Sequence, residues 1–222
     1  MKKVLVVAPH PDDETLGCGG SILRFVQEGL EVHWLIVTGK TESGGYTSDQ
    51  IECRKIEIDR VAKAYSFSSV HQLDIPAASL DTISAGEIIQ SVSKVVFLIK
   101  PQIVFTAYRN DAHSDHADVF DAVMSATKSF RTPFVEKVLC YETLSETNFG
   151  CKPEDPGFRA NVFVDITPYL DKKIEIMTIF ESEMGEFPFP RSNKALRSLA
   201  YLRGTQCNSE AAEAFMLIKE II

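Results

Sequence analysis

Through residue 143, apolar stretches of strand length alternate with stretches in which apolar residues recur at helical spacing. The opening "KVLVVA" is almost continuously apolar, which is typical of a strand buried on both faces. In "SILRFVQEG", by contrast, Ile22, Phe25 and Val26 lie on one helical stripe, and Gly29 is a suitable end. The predicted strands of this part are 3–8, 31–39, 69–75, 102–108 and 136–143, and the predicted helices are 21–29, 48–66, 84–100 and 116–130.

Beyond Gly150 the regular alternation ends. The sequence predicts a strand at 161–166 and helices near 168–183 and 192–202, whereas the closing "SEAAEAFMLIKEII" suits a helix or a strand. Alternating strands and helices require a mainly parallel sheet with helices on both faces. We therefore predict a single Rossmann-like α/β domain over 1–222, in which 1–143 form the Rossmann-like core and 144–222 complete the domain.

Composition narrows the class of protein. The 222 residues are 45% hydrophobic and 24% charged, which suits one globular domain with a sizeable core. A net charge of -8 argues against nucleic acid as the partner, although one or two local cations would still allow a phosphorylated substrate. The apolar runs are too short to span a membrane, and five cysteines without a CxxC spacing favour unpaired thiols and a cytoplasmic location.

Two polar stretches follow predicted strands and are candidates for a site. "PHPDDE" places His10, Asp12, Asp13 and Glu14 directly after the first strand, and "HSDH", residues 113–116, follows the fourth. The glycines that come next do not have the G-x-G-x-x-G order of a dinucleotide-binding turn, and three acids beside them would repel a pyrophosphate. Because ligands of parallel sheets bind at the carboxyl ends of the strands, we expect the two stretches to share one site.

Histidine nitrogens and carboxylate oxygens are the ligands that zinc and neighbouring divalent metals accept. A catalytic zinc needs three protein ligands and one open position, and two histidines with one carboxylate supply that set. The remaining acid is then free to act as a base and the remaining histidine as an electrophilic partner. Spacing alone leaves open which of Asp12 and Asp13 has which role.

The two histidine motifs make the chain resemble the PIG-L/LmbE family of metal-dependent deacetylases. That family removes acetyl groups from N-acetylglucosamine units carried on lipids, thiols, nucleotides or oligosaccharides. "RKIE" at 54–57, "NVFVDIT" at 161–167 and "AEAF" at 212–215 are similar to its weaker signatures, so the resemblance covers most of the chain. Ser114 is a departure, since the family often has proline there, and this changes loop stiffness rather than chemistry.

The resemblance implies a role for each candidate residue. It implies that His10, Asp13 and His116 bind Zn²⁺, with Fe²⁺ as the alternative metal, that Asp12 is the general base, and that His113 faces the oxyanion. We expect Asp115 to accept a hydrogen bond from His113 and to fix its tautomer. Arg54 is a candidate for contact with a substrate hydroxyl or phosphate; the alternative is a helix arginine paired with Glu57, three residues further on.

The predicted activity is therefore removal of the acetyl group from an N-acetylglucosamine-type sugar conjugate, which releases acetate and a free amine. The expected partner is a small-molecule or glycoconjugate substrate, and the sequence is silent on oligomeric state. One alternative keeps the metal chemistry but acts on a non-acetyl amide or a thiol conjugate. A signalling receiver domain is the alternative from another class. Only Asp74 is near its phosphoacceptor position, however, and no lysine lies at the position that such a domain requires after the fifth strand.

Overall fold

The computed structural model describes residues 2–222, which form an α/β fold around one seven-stranded sheet. The strand order is β3-β2-β1-β4-β5-β7-β6; β1 to β5 run parallel, and β7 is antiparallel to both β5 and β6. The mainly parallel sheet confirms the predicted fold class. The strands are β1 Lys3–Ala8, β2 Glu31–Gly39, β3 Ser69–Pro76, β4 Ile103–Ala107, β5 Lys137–Tyr141, β6 Val162–Asp165 and β7 Ala212–Glu220.

Six helices cover both faces of the sheet, because successive side chains of each strand point to opposite faces. On β1, Val4 and Val6 pack in the core beneath α1, α2, α5 and α6, whereas Leu5 and Val7 pack beneath α3 and α4. None of the helices is long and apolar enough to cross a membrane in the described part of the chain. The helices are α1 Asp13–Gln27, α2 Ser48–Tyr65, α3 Ala85–Ile99, α4 Ser114–Ala126, α5 Leu170–Met177 and α6 Asn193–Thr205.

Helix α1 begins at Asp13, well before the predicted start at residue 21, and bends at Cys18, where φ is -142°. The bend frees the N–H groups of Gly20 and Ser21, which donate to the carboxylate of Glu213 on β7 at 2.8 and 2.7 Å. A side chain at Gly17 would collide with the Tyr141 ring. Glycine therefore allows the first turns of α1 to approach the sheet closely. From the sequence pattern alone, these turns could not be distinguished from a loop.

The closing segment, which the sequence left open between helix and strand, is strand β7. It pairs with β5 on one side and β6 on the other, so its backbone hydrogen bonds are satisfied only as a strand inside the sheet. The predicted helix at 168–183 is shorter than expected: α5 ends at Met177, and the chain then continues through a turn at Glu181–Glu183. This turn forms one wall of the site described next.

Candidate active site

The two polar stretches meet at the carboxyl edge of the sheet, as the sequence predicts. His10 and Asp13 lie where β1 passes into α1, and His116 lies in the first turn of α4, which follows β4. The Oδ2 atom of Asp13 is 3.2 Å from Nδ1 of His10 and 3.3 Å from Nε2 of His116. One ligand atom from each of these three residues lies within 4.8 Å of the others. Residues remote in sequence thus supply two imidazoles and one carboxylate to a single point.

Two further carboxylates hold the outer nitrogens of the histidines. Oδ2 of Asp111 lies 2.7 Å from Nδ1 of His116, and Oδ2 of Asp115 lies 3.0 Å from Nε2 of His10. Such carboxylate partners fix the tautomer and orientation of a metal-binding imidazole and raise its basicity. Sequence reasoning missed Asp111, since nothing in its position before "HSDH" indicates that it reaches the ring of His116.

The predicted partner of Asp115 is corrected by the structure. Its carboxylate oxygen lies 3.9 Å from Nδ1 of His113, beyond hydrogen-bond distance. The carboxylate instead accepts the N–H of Ala78 at 2.8 Å and contacts His10, while the backbone N–H of Asp115 donates to Nδ1 of His113 at 3.1 Å. The reason is that His113 caps the N-terminus of α4, which turns Nδ1 towards the helix backbone.

The cluster fits a divalent metal ion. Nε2 of His116 is buried and has no hydrogen-bond partner among residues 2–222, and a free imidazole nitrogen facing a carboxylate is an available ligand. Burial alone would lower the pKa of His10, but hydrogen bonds to Asp115 and Asp13 raise that pKa to about 9. Burial would likewise raise the pKa of Asp13, yet the imidazoles of His116 and His10 hold it far below its usual value. The local field therefore favours positive charge, and imidazole with carboxylate suits zinc or iron.

Asp12 is held in a conformation that turns its carboxylate away from the helix. Its φ is 144°, which an L-residue rarely adopts, and although it stands at the N-cap of α1 its side chain forms no capping hydrogen bond. The buried carboxylate lines the cavity beside His10. Burial, together with the charges of Asp13 and Glu183, raises the pKa of Asp12 well above its usual value. The side chain of Asp12 therefore contributes no capping hydrogen bond to α1 and is part of the cavity wall.

His113 lines the same cavity. Because Nδ1 accepts the N–H of Asp115, the proton of the neutral ring resides on Nε2. Burial and the neighbouring His10 lower the pKa of His113, which favours this neutral donor form. The backbone N–H of His113 donates to Glu146 at 3.1 Å, so the loop after β5 helps to hold the residue in place.

Arg54 is buried on α2, with its side chain only 5% exposed, and lines the cavity. The alternative pairing with Glu57 is present, since Nε lies 3.0 Å from a carboxylate oxygen of that residue. The guanidinium also donates to the carbonyl of Pro11 at 2.8 Å and to the side chain of Glu183. Contact between Arg54 and substrate stays a prediction. The guanidinium that would make this contact is already engaged with the protein groups named above.

The cavity above these residues has a volume of about 300 Å³, at the lower end of the range for ligand pockets. Its walls come from the loop after β2, the loop after β5 and the segment that follows α5. The glycine-rich loop after β2 is the wall that the sequence indicates as a rim of the site, whereas the other two walls contribute scattered single residues without a sequence signal. The wall residues with polar side chains are Lys40, Tyr46, Thr143, Ser145, Glu146, Glu183 and Arg191.

Two comparisons of the sequence with known proteins give matches that include both histidine motifs. The profile of the family described as PIG-L, GlcNAc-PI de-N-acetylase, matches residues 5–127, which include both histidine motifs. The diacetylchitobiose deacetylase of Thermococcus kodakarensis is 25% identical over 100% of this chain and 85% of its own length.

Solved structures show the same fold. The conserved protein TT1542 of Thermus thermophilus superimposes with a TM-score of 0.81 at 23% identity, over 100% of this chain and 97% of its own. The 4-carboxy-2-hydroxymuconate hydratase GalB of Pseudomonas putida superimposes with a TM-score of 0.75 at 19% identity, over 100% and 98%. Since a hydratase shares this architecture, the fold alone does not determine the reaction, and the argument for function has to come from the site.

Proposed function

The chain belongs to the PIG-L family, and from that premise we propose that it is a metal-dependent deacetylase acting on an N-acetylglucosamine-type conjugate. The products would be acetate and a free amine. The observation that carries the proposal is the convergence of His10, Asp13 and His116 on one point next to Asp12, whose buried carboxylate is not used by the helix it precedes.

The three converging residues would hold the metal, with Zn²⁺ as the proposed ion and Fe²⁺ as the alternative. When bound, such an ion lowers the pKa of water and polarises a carbonyl group. Asp111 and Asp115 would keep the two imidazoles in the orientation that binding requires, since each already contacts the outer nitrogen of its histidine. We assign Asp115 this orienting role towards His10 and His113, not a role in proton transfer.

Asp12 would act as the general base and then as the general acid. Its carboxylate takes a proton from the water molecule that attacks the acetyl carbon, and it returns that proton to the nitrogen as the carbon–nitrogen bond breaks. The raised pKa of Asp12 and its place in the cavity wall support both transfers. A single residue thus handles both proton steps, and the amine leaves with the proton that the water supplied.

His113 would stabilise the negative charge that develops on the carbonyl oxygen. Its Nε2–H is a fixed donor because the opposite nitrogen is occupied by the N–H of Asp115. A preorganised donor of this kind contributes roughly 10²–10³ in rate. The neutral ring needs no proton exchange to perform this function.

The substrate class rests on the relative named for diacetylchitobiose and on family membership. A cavity of about 300 Å³ is compatible with one sugar-sized group and leaves the rest of a conjugate outside. The alternative is a non-acetyl amide or a thiol conjugate, on which the same residues would perform the same steps.

The five cysteines are all free thiols, which supports the proposed cytoplasmic location.

An acetate-release assay on a panel of N-acetylhexosamine conjugates tests the proposal. The panel should pair each acetyl compound with its propionyl analogue and include sugars linked to a lipid, a thiol, a nucleotide and a second sugar. We expect release that a chelator abolishes and that added Zn²⁺ or Fe²⁺ restores, while Asp12→Asn protein prepared in parallel releases acetate at least about 10²-fold more slowly. Absence of release from every compound at full metal occupancy would contradict the proposed activity.

A further inference from the structure

The peptide group between Pro11 and Asp12 is held at both ends by buried polar side chains. Its carbonyl accepts a hydrogen bond from Nη1 of Arg54 at 2.8 Å, and its N–H donates to Oε2 of Glu14 at 3.1 Å. Arg54 lies on α2 and Glu14 lies on α1, so two different helices fix the plane of one peptide. Both of these hydrogen bonds are buried.

This peptide immediately precedes the strained bond of the site. The φ angle of Asp12 is the rotation about its N–Cα bond, which begins at that peptide group, and it takes the value 144°. On the other side, the carbonyl of Asp12 accepts the N–H groups of Thr15 and Leu16 at 3.0 and 2.9 Å. Hydrogen bonds therefore fix the backbone on both sides of Asp12. A rarely populated backbone conformation persists only where the surrounding structure holds it in this way.

Among residues 2–222, the side chain of Glu14 makes hydrogen bonds only to Asp12 and Thr15. Its side chain is fully buried and forms no ion pair in the part of the chain that the structure describes. The second carboxyl oxygen, Oε1, accepts the hydroxyl of Thr15 at 2.6 Å, which fixes the direction of Oε2. A buried carboxyl group is costly unless its hydrogen bonds are made, and here they are made to the backbone of the proposed base and to the next residue.

We propose that Glu14 is a positioning residue for Asp12. Together with Arg54 it clamps the Pro11–Asp12 peptide, so that the Asp12 carboxylate points into the cavity instead of capping α1. The inference rests on the proposed function, because a position for Asp12 matters to the rate only if that residue transfers a proton.

Two variants separate this role from a general effect on the fold. In Glu14→Gln the amide oxygen can accept the N–H of Asp12 while the amide N–H₂ donates to Thr15, so we expect a kcat within about threefold of wild type. Glu14→Met keeps the length of the side chain but accepts no such hydrogen bond, and we expect kcat to fall about 10²-fold, as for a displaced catalytic group. KM, metal content by elemental analysis and the melting temperature are measured for each variant.

The double variant tests whether Glu14 acts through Asp12. If it does, adding Glu14→Met to Asp12→Asn causes little further loss of the residual rate, because groups that act as a unit are not additive. An equal loss in both backgrounds would overturn the inference, and so would wild-type kcat in Glu14→Met or a loss explained by missing metal. Should the Met variant fail to fold, Thr15→Val removes the bond that directs Glu14 and is expected to lower kcat in the same way, by roughly tenfold.

The outcome for Glu14 is distinguishable from the outcome for the proposed function. If wild-type protein releases acetate and Asp12→Asn releases it at least about 10²-fold more slowly, the deacetylase assignment stands whatever the Glu14 variants do. If wild-type protein releases no acetate at full metal occupancy, the assignment fails first, and the inference about Glu14 fails with it.

Discussion

Asp111 accepts a hydrogen bond from Nδ1 of His116 at 2.7 Å, and the other nitrogen of that ring lies 3.3 Å from Asp13. The imidazole is fully buried between these two carboxylates. The sequence motifs predict a role for Asp13 but none for Asp111. The ring is therefore fixed in one tautomer, with Nε2 free to bind a metal ion. Metal affinity should depend on Asp111 although it is not a proposed ligand.

Replacing Asp111 by alanine is expected to weaken metal binding about 10–100-fold, because the ring loses the group that orients it. Asp111→Asn should weaken it less, since the amide oxygen can still accept the Nδ1 proton. Competition with a chromogenic chelator measures both affinities. Asp121→Ala is the matched control: it removes an exposed aspartate from the helix that carries His116, so equal effects at positions 111 and 121 would show that the loss is not specific to the His116 contact.

Asp12 and Asp13 are neighbours with different expected phenotypes. Asp12→Asn should retain metal and lose about 10²–10⁴-fold in kcat, the usual contribution of a general acid–base group. Asp13→Ala should lose the metal itself, because its Oδ2 lies within 3.3 Å of a nitrogen of each histidine. Elemental analysis beside steady-state kinetics separates the two. A metal-free Asp12→Asn together with a fully loaded Asp13→Ala would reverse our assignment.

The sheet and the meeting of the two motifs could be predicted because they follow from simple rules. Valine-rich runs predict buried strands, and the carboxyl ends of parallel strands share an edge, so His10 and His116 are expected at the same edge. They are close because β1 and β4 are neighbours in the sheet. Which carboxylate binds which nitrogen could not be predicted, since it depends on side-chain direction. The sequence predicts a contact between Asp115 and His113, but the capping geometry of α4 directs the carboxylate of Asp115 to His10 instead.

The start of α1 and the strand conformation of β7 could not be predicted from the sequence, for a different reason. The cluster of glycines after Glu14 is usual in a loop, and only the closeness of Tyr141 to Gly17 explains why glycine is needed within a helix. In the same way, β7 is a strand because β5 and β6 flank it. Both features are set by partners far away in the chain, which local patterns do not report.

His113 is expected to affect the rate and not the metal. His113→Ala removes the Nε2–H donor and should lower kcat roughly 10²–10³-fold while metal content stays at the wild-type level. His71→Ala on β3 is the control for loss of a partly buried imidazole outside the cavity lining. Unchanged kcat in the His113 variant would remove this residue from the mechanism, and loss of metal would assign it to the metal site instead.

The last prediction concerns stability, since a buried ion pair holds together the two halves of the bent helix α1. Nζ of Lys173 lies 2.7 Å from Glu213 and donates to the carbonyl of Leu16 at 2.9 Å, while Glu213 accepts the N–H groups beyond the bend. Lys173→Met leaves a buried carboxylate without its cation, which typically costs about 3–5 kcal/mol. Urea denaturation of metal-free protein measures this as a loss in the free energy of unfolding.

The neighbouring residue Lys172 provides the control, because it pairs with Glu175 at 2.7 Å on the exposed side of the same helix. Lys172→Met should change the free energy of unfolding by less than about 1 kcal/mol, as is usual for exposed ion pairs. The two substitutions are chemically identical and adjacent, so helix propensity and length of side chain cancel in the comparison. A difference below about 1 kcal/mol between them would show that the bend is held by the backbone bonds to Glu213 and not by its pairing with Lys173.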